Sequence, residues 1–487
     1  MQCRAVISHE TLDRMQWHAD PLSDDLVADL VGDWGRFDAG ASGGDAIHAD
    51  RFLTAANADS LRSLIEVAAA WRGNAEVCAW RPPAALPEPV AARVTIYLQA
   101  ASKAPVWLDR NKLARAESIF AEHGAMTMAV LSCASLPETY VLPDLAAVLR
   151  VTGQLEKHTE YRIRATGTTL FPLMERGGLG APGGGAVAQL LKTRLIHAVI
   201  RHMILRGNPS AAAAQAIKDG SPQRTATIPA STHAPAPDLH HAELTIAGWA
   251  LGEDALPCNQ EEMAYTLLTF GYVYLRSLRK LGLGLPQEDE EAYLHLWNVA
   301  GHYLGIEHAL LVPDMEQAAA LFAAMQSRGR SHQARKYLGR VDPRPALGAA
   351  LMGAFERALQ PPLRVVPTMT ARYLCGRESS ADLTLDRGGA RVIYPLFLAA
   401  MATLRGVDRV GAAIRPGFSL TRFLCRLMGY RFMLRLVAFD QGPARSPPPA
   451  SRQQFLAAIS AWSSDPHAGA WLNALERRLR GMNAAVD

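Results

Sequence analysis

The sequence predicts an all-α fold, and three observations support this. Apolar residues recur at three- and four-residue spacing, the period of a helix buried on one side, in segments 111–131, 186–206, 261–281, 289–305 and 315–327. Alternating runs of β-branched residues are nearly absent, and residues 93–98 come closest to one. No period of 20–50 residues is evident, so a solenoid built of repeats is not expected.

The composition is that of an ordinary globular protein, because 49% of the 487 residues are hydrophobic and 20% are charged. This balance excludes a mostly disordered chain, a collagen and a coiled-coil rod. The net charge is only +4, from 50 Lys and Arg against 46 Asp and Glu, and no five like charges follow one another. We therefore expect no nucleic-acid partner.

Loops rich in glycine and proline divide the chain. We predict an N-terminal helical extension over 1–84, a main helical domain over 85–430 and a C-terminal helical tail over 431–487. The stretch 207–241 is rich in Pro, Ala, Ser and Thr, and we predict a flexible excursion there. A glycine-rich loop, 176–185, separates two strong helices inside the main domain.

The six cysteines are dispersed, and none forms a Cys-x-x-Cys pair. This usage fits a reducing compartment in which most cysteines are buried as small apolar residues. The N-terminus has no apolar stretch of the kind found in export signals, so we expect a cytoplasmic protein. The longest apolar run, Val392 to Leu404, is too short for a bilayer span of about 20 residues, so we predict a buried core helix and no transmembrane segment.

The segment 186–206 is the first candidate site. Leu190, Arg194, His197, Arg201 and Ile204 recur at helical spacing and share one face. A histidine among apolar neighbours can bind a metal or haem iron, but it can equally be a core residue bonded to a backbone carbonyl. His202 lies roughly 140° around the helix, so one flat cofactor could not easily use both histidines.

The preceding segment, 143–175, is predicted to be helical and carries a polar stripe. His158, Arg162 and Thr166 lie four residues apart on one face. Such an arginine and threonine could hold a carboxylate or a small oxygen-containing ligand, or the stripe could simply face solvent.

Two further clusters have structural interpretations. Asn259 with Glu262 matches a capping box at the start of a helix. Gly301 inside a helix indicates close approach of another element or a flat ligand, and Tyr293 and Trp297 nearby are more typical of a core than of a cofactor site.

Six motifs in order resemble the catalytic domain of the rubber oxygenase (latex-clearing protein) family, which includes the fungal oxygenase that cleaves the prenyl side chain in mycophenolic acid biosynthesis. The resemblance covers roughly residues 85–390. The motifs are Pro105-Val-Trp107-Leu-Asp109, Ser135-Leu-Pro137, Val151-Thr152-Gly153-Gln154-Leu155, Arg194-Leu-Ile-His197 with Arg201-His202, Asn259-Gln260-Glu261 with Leu267-Leu-Thr269-Phe270, and Tyr293-Leu-His295-Leu-Trp297 with Leu304-Gly305-Ile306.

The resemblance implies a globin-like helical core that holds a non-covalent haem b (iron protoporphyrin IX), and it makes 85–430 the haem oxygenase catalytic domain. By this resemblance His197 is the axial iron ligand, and Arg162 and Thr166 are the catalytic residues of the distal pocket. Arg194 and Arg201, on the helix of His197, are predicted to contribute to cofactor binding.

The chain departs from the rubber-cleaving members at two positions. Ala165 stands where those members carry a lysine, so we expect no lysine-ligated resting state. Near the position of their distal glutamate, this chain has only Asp144 and Ala147. With no export signal, we expect a small unsaturated lipid or terpenoid as substrate rather than polyisoprene.

The leading functional prediction is a haem b-dependent oxygenase that uses O₂ to cleave or oxidise a carbon–carbon double bond in a small apolar substrate. Two alternatives remain open at this point. One is a haem protein that is not an oxygenase, such as a peroxidase-like enzyme or a gas sensor. The other is a helical lipid-binding protein without iron.

Overall fold

A computed structural model gives the fold, and every regular element in the part of the chain that it describes is a helix. The all-α prediction is therefore confirmed. The described residues are 7–31, 55–151, 159–205, 255–336, 342–386, 389–438 and 456–480.

The helices of the described residues are numbered in chain order. The first ten are α1 (His9–Met15), α2 (Pro21–Val31), α3 (Ala55–Ala70), α4 (Asn74–Cys78), α5 (Glu88–Ala101), α6 (Arg110–Val130), α7 (Leu136–Glu138), α8 (Pro143–Val151), α9 (Thr159–Met174) and α10 (Ala186–Leu205). The next ten are α11 (Gln260–Phe270), α12 (Tyr272–Leu281), α13 (Gln287–Tyr303), α14 (Met315–Lys336), α15 (Arg344–Glu356), α16 (Val366–Cys375), α17 (Arg377–Asp382), α18 (Gly389–Ile414), α19 (Leu420–Ala438) and α20 (Ala470–Leu479). A π-helical turn over Leu131–Ser135 joins α6 to α7, and short 3₁₀ turns occupy His308–Leu310 and Leu363–Val365.

Helix α6 is the centre of the fold and packs along both α13 and α19. From Met126 onward its side chains are buried on all sides. Helix α19 crosses it closely at Gly429, where any added Cβ would overlap the carbonyl of Ala125. A residue larger than glycine would therefore separate these two helices.

The C-terminal segment completes this centre. Helix α6 is kinked at Gly124, which has a φ of 29°, and the indole of Trp462 occupies the space where a Cβ would project. The same indole stacks on Phe171 of α9, with ring centroids 5.8 Å apart, and meets Phe120 edge-on at 5.4 Å. Trp462 thus fills a gap between α6 and α9.

Most of the predicted helical segments are present. Segments 111–131, 186–206 and 289–305 correspond to α6, α10 and α13, while the helix predicted over 315–327 continues to Lys336. The segment 261–281 is two helices, because Gly271 interrupts the helical backbone with a ψ of −75°. Residues 93–98, the best strand candidate, lie in α5.

The helix predicted over 143–175 corresponds to α8 and α9. His158 and the excursion 207–241 lie outside the described residues. Near α11 and α13, the helix cap at Asn259 and the close approach at Gly301 are confirmed: Asn259 accepts a hydrogen bond from the backbone N–H of Glu262 at 2.9 Å, and a Cβ on Gly301 would come within 2.8 Å of Leu267.

The expected burial of the cysteines is also confirmed. Of the five cysteines that the structure describes, all are free thiols and only Cys78 is exposed.

The prediction for Val392 to Leu404 as a buried core helix is wrong. This run lies in α18, none of whose residues is buried. Two described helical stretches are long and apolar enough to cross a membrane by length and composition alone. One, Arg110–Glu138, is 83% buried and is the core of the fold; the other is Gly389–Ile414, which is 0% buried. Its exposed apolar surface is considered below.

Candidate functional site

Helices α9 and α10 carry the residues that the sequence singled out, and the glycine-rich loop between them is held in place. The amide of Asn74 donates hydrogen bonds to the carbonyls of Gly178, at 2.8 Å, and Ala181, at 2.9 Å. Its side-chain oxygen accepts from the N–H of Val187 in the first turn of α10. One asparagine therefore fixes where α10 begins relative to the loop.

Helix α10 has two different sides. Leu190, Arg194, Arg201 and Ile204 are buried against the rest of the protein, whereas His197, predicted on the same face, is only partly buried. A second stripe of partly buried residues runs beside His197 and consists of Gln189, Thr193, Ile196 and Ile200. This stripe is the least buried side of α10.

The two arginines of α10 are engaged by helix α2. Arg194 donates from Nε and Nη2 to the two carboxylate oxygens of Asp20, each at 2.5 Å. Arg201, which has no exposed surface, donates to the carboxylate of Asp24 and to two backbone carbonyls, those of Pro257 and Cys258.

These contacts give both arginines a structural role that spacing could not reveal, because their partners lie far away in the sequence. Burial raises the pKa of Asp24 to about 6, although the adjacent Arg201 opposes this shift. The prediction that Arg194 and Arg201 contact a cofactor remains a prediction.

Helix α9 contacts this stripe through a threonine. Ala165, Thr166 and Thr169 are partly buried, and Gln189 of α10 donates a hydrogen bond to Thr169 Oγ1 at 3.4 Å. This contact joins the C-terminal half of α9 to the first turn of α10.

The candidate residues lie along the two helices from this contact. At 1.5 Å per residue, His197 lies about 12 Å along α10 from Gln189, and Arg162 lies about 10 Å along α9 from Thr169. Thr166 is one turn from Arg162 on α9. The side chain of Arg162 lies outside the described part of the structure.

The other histidines considered as ligands have different settings. His202 is 1% exposed, with its Nε2 3.7 Å from a carboxylate oxygen of Asp24, so it faces α2. His302 lies at the surface with its Nε2 3.0 Å from the carbonyl oxygen of Lys103. Neither belongs to the partly buried stripe of α10.

The aromatic residues of α13 are core residues, as their spacing indicated. Trp297 stacks on Phe270 with ring centroids 5.4 Å apart, and Tyr293 packs against Tyr274 at 4.8 Å. Both Tyr293 and Trp297 are buried. This cluster stabilises the packing of α11, α12 and α13 and leaves no face for a cofactor.

Two carboxylate clusters were not found from the sequence. The buried Glu138 accepts hydrogen bonds from Arg276 at 2.8 Å and from Gln326 and Ser379 at 2.9 Å each. These three donors satisfy the carboxylate, so we assign it to the stability of the core. Burial raises the pKa of Glu261 to about 7 against the opposing effect of Arg328, and Asp144, considered as a substitute for the family glutamate, adds to this rise.

The second cluster joins α6 to the C-terminal segment. Glu122, His123 and His467 offer possible ligand atoms that all lie within 4.8 Å of one another. However, Glu122 is already paired with Arg115 at 3.1 Å, and burial together with the charge of Arg422 lowers the pKa of His123 to about 3. Because the same positive charges would repel a cation, we assign no metal to this cluster.

Comparisons with known proteins agree with the arrangement of helices. Residues 123–406 match the family described as ER-bound oxygenase mpaB/B'/Rubber oxygenase, catalytic domain. The rubber oxygenase of Streptomyces sp. (strain K30) is 24% identical over 251 residues, which are 51% of this chain and 51% of that protein. This chain therefore matches about half the length of that relative.

A solved structure, that of latex clearing protein LCP in the closed state, has a similar fold. The TM-score is 0.57 at 18% identity, and the match covers 88% of this chain and 93% of the other. At this identity the likeness supports the fold, and it covers most of both chains.

Proposed function

The chain belongs to the family of mpaB-type ER-bound oxygenases and rubber oxygenases, and from this membership we propose that it is a haem b-dependent oxygenase that cleaves or oxidises a carbon–carbon double bond in a small apolar substrate. The family makes oxygenase chemistry the expected activity. The observation that carries the finer proposal is the partly buried stripe of α10, where His197 lies beside Ile196 and Ile200.

The residues of this stripe fit haem in their chemistry. Haem iron is commonly held by a histidine nitrogen in apolar surroundings, and the stripe offers an imidazole flanked by isoleucines. We assign His197 as the residue that would hold the iron. When bound, haem would supply the one-electron and O₂ chemistry, which protein side chains cannot provide.

The residues of the chain would control polarity and access around the reactants. Arg162 and Thr166 lie four residues apart on one face of α9, so the guanidinium and the Thr166 hydroxyl could donate hydrogen bonds to the same small oxygen-containing group. Ile196 and Ile200 would exclude water from the surroundings of His197. Arg194 and Arg201 would hold α10 in position through Asp20 and Asp24.

The surroundings favour an apolar substrate. Apart from His197 and Lys192, the partly buried positions of α9 and α10 that the structure describes are apolar or carry a single hydroxyl or amide group. A site of this kind rewards burial of apolar surface by about 25 cal/mol per Å² and disfavours unpaired polar groups. We propose an unsaturated lipid or terpenoid rather than a sugar or nucleotide.

An absorption spectrum of the purified protein, supplied with haem during expression, tests the cofactor. We expect a Soret band. If the protein stays free of haem after reconstitution, the proposal is wrong and the helical lipid-binding alternative stands.

Oxygen uptake with an unsaturated terpenoid and a reductant then tests the reaction. If O₂ adds across the double bond, both carbonyl fragments should carry ¹⁸O from ¹⁸O₂ when they are trapped before exchange with water. Label in one fragment alone would indicate monooxygenation followed by hydrolysis. A haem protein that oxidises substrates with peroxide and takes up no O₂ would be peroxidase-like.

A further inference from the structure

Helix α18 exposes a continuous apolar stripe along its whole length. At 100° per residue its members fall within roughly one quarter of the helix circumference and extend for about 33 Å. They are Val392, Leu396, Ala399, Thr403, Val407, Val410 and Ile414, and we call them the outer stripe. Val392 is 80% exposed, Leu396 72%, Val410 62% and Ile414 80%. Apolar patches of this size on a surface mark an interaction site.

The opposite side of α18 is firmly attached to the protein, so the outer stripe has a definite orientation. The carboxylate of Asp408 accepts a hydrogen bond from the N–H of Leu420 at 2.6 Å and another from the hydroxyl of Ser419 at 3.1 Å, which caps α19. Arg372 donates to the carbonyl of Ala390 at 2.6 Å, and its guanidinium lies 4.0 Å from the ring centroid of Tyr394. The helix is therefore held as a ridge on the surface.

The charges of this ridge are almost all positive. Between Gly389 and Arg415 the chain has four arginines and one acid, Asp408, whose carboxylate is engaged by α19. Arg391, Arg409 and Arg415 are exposed. At 100° per residue these three arginines flank the outer stripe, whereas the fourth, Arg405, lies on the packed side with its guanidinium 5.7 Å from the ring centroid of Tyr373. An apolar face with basic flanks is the pattern of a helix that lies in the surface of an anionic bilayer.

A second exposed apolar face lies at the end of this ridge. On α20, Trp471, Leu475 and Leu479 are 46%, 40% and 48% exposed and lie one helical turn apart. Trp471 stacks on Phe418, four residues beyond the end of α18, with ring centroids 6.4 Å apart. Tryptophan is enriched where membranes meet water, and Arg477 and Arg478 add positive charge to the same helix.

From these observations we propose that the outer stripe of α18, extended by Trp471, docks the protein onto an anionic lipid bilayer without crossing it. Spanning is disfavoured because one side of α18 is packed against α16 and α19. A second copy is a poorer partner, since a two-fold contact through this ridge would place the arginine flanks of the two copies against each other. A lipid surface supplies both apolar chains and the anionic headgroups that the arginines require.

Co-sedimentation with vesicles tests the proposal, and it needs neither haem nor turnover, so its result is independent of the proposed function. We expect the full-length protein to bind vesicles of phosphatidylcholine with phosphatidylserine more tightly than vesicles of phosphatidylcholine alone. The double variant Leu396→Glu with Val410→Glu should bind these anionic vesicles at least roughly tenfold more weakly than the wild type does. The matched control is Ile96→Glu on α5, at a residue that is 53% exposed. This variant should bind vesicles as the wild type does.

A second variant, Arg391→Gln with Arg409→Gln, separates the charge from the apolar face. It should lower binding to the anionic vesicles roughly tenfold and leave the weak binding to phosphatidylcholine unchanged. Because Arg391 and Arg409 are exposed, we expect the variant to keep its fold, and far-UV circular dichroism checks this.

Three results would overturn the proposal. One is wild-type protein that stays in the supernatant with anionic vesicles. Another is a wild type that is a dimer while the Leu396→Glu, Val410→Glu variant is a monomer. A second copy of the chain would then cover the outer stripe. The third is bound protein that resists extraction by alkaline carbonate, because the helix would then cross the bilayer.

Discussion

The carboxylate of Asp20 accepts two hydrogen bonds from Arg194, each at 2.5 Å, and so ties helix α2 to the helix that carries His197. Both side chains are almost completely buried. Because a buried ion pair is costly to break from one side only, this contact makes the N-terminal helix part of the framework of the candidate site.

The first prediction concerns this pair. Asp20→Asn leaves the Arg194 charge buried without a balancing carboxylate, so we expect the free energy of unfolding in urea to fall by about 3–5 kcal/mol. The control is Asp29→Asn on α2, the helix that Asp20 immediately precedes, where the pair with Arg93 is about half exposed. Removing such a surface pair should cost less than about 1 kcal/mol. Equal effects of the two variants would contradict the structural role of Asp20.

The second prediction concerns the axial ligand. His197→Ala should lose haem while its far-UV circular dichroism stays that of the wild type, because the side chain is only partly buried and its helix is held by other contacts. The haem-to-protein ratio measures the loss, and His302→Ala, at a surface histidine, is the control. Full haem content in His197→Ala would place the ligand elsewhere.

The third prediction concerns α9. Arg162→Ala and Thr166→Val should keep haem, since neither residue is on the helix of the ligand, but turnover should fall by roughly a hundredfold for loss of a positioned hydrogen-bond donor. The control is Thr168→Val, whose hydroxyl donates to the carbonyl of Ala165 within α9. Steady-state oxygen uptake is the measurement. Unchanged turnover in both variants would indicate that Arg162 and Thr166 have no catalytic role.

The fourth prediction concerns pH. His123 is buried, and its pKa is lowered from 6.5 to about 3, so the unfolded chain takes up a proton at this residue well before the folded protein does. Stability from this residue is therefore present above about pH 6.5 and is lost as the pH falls toward about 3. His123→Phe cannot titrate, so its free energy of unfolding should fall less between about pH 6.5 and about pH 4.

The control for this titration is His9→Phe, because His9 is exposed at the start of α1. It should keep the pH dependence of the wild type. If His123→Phe loses as much stability on acidification as the wild type does, another group is responsible.

Local patterns predicted the helices well. The repeated apolar spacing marks α6, α10 and α13 because each buries a side against neighbours, and the Asn259 cap is encoded within four residues. The break at Gly271 was missed because the apolar period continues across it. A glycine alone does not show that the helix ends there.

Contacts between distant segments could not be predicted. Nothing near Arg194 or Arg201 in the sequence indicates that Asp20 and Asp24 are their partners. The error at Val392–Leu404 has the same origin. Apolar composition indicates that a helix prefers to leave water, but it does not identify the surface that receives it.

The position of Trp462 bears on how far this protein can be treated as modular. The family match ends at residue 406, yet this indole from beyond it fills the gap between α6 and α9 inside the matched region. A gene fragment encoding 123–406 alone would leave a hole the size of a tryptophan at the kink of α6. Recombination between relatives should therefore succeed only when the catalytic region and the C-terminal segment are inherited together, and the two should vary in concert during evolution.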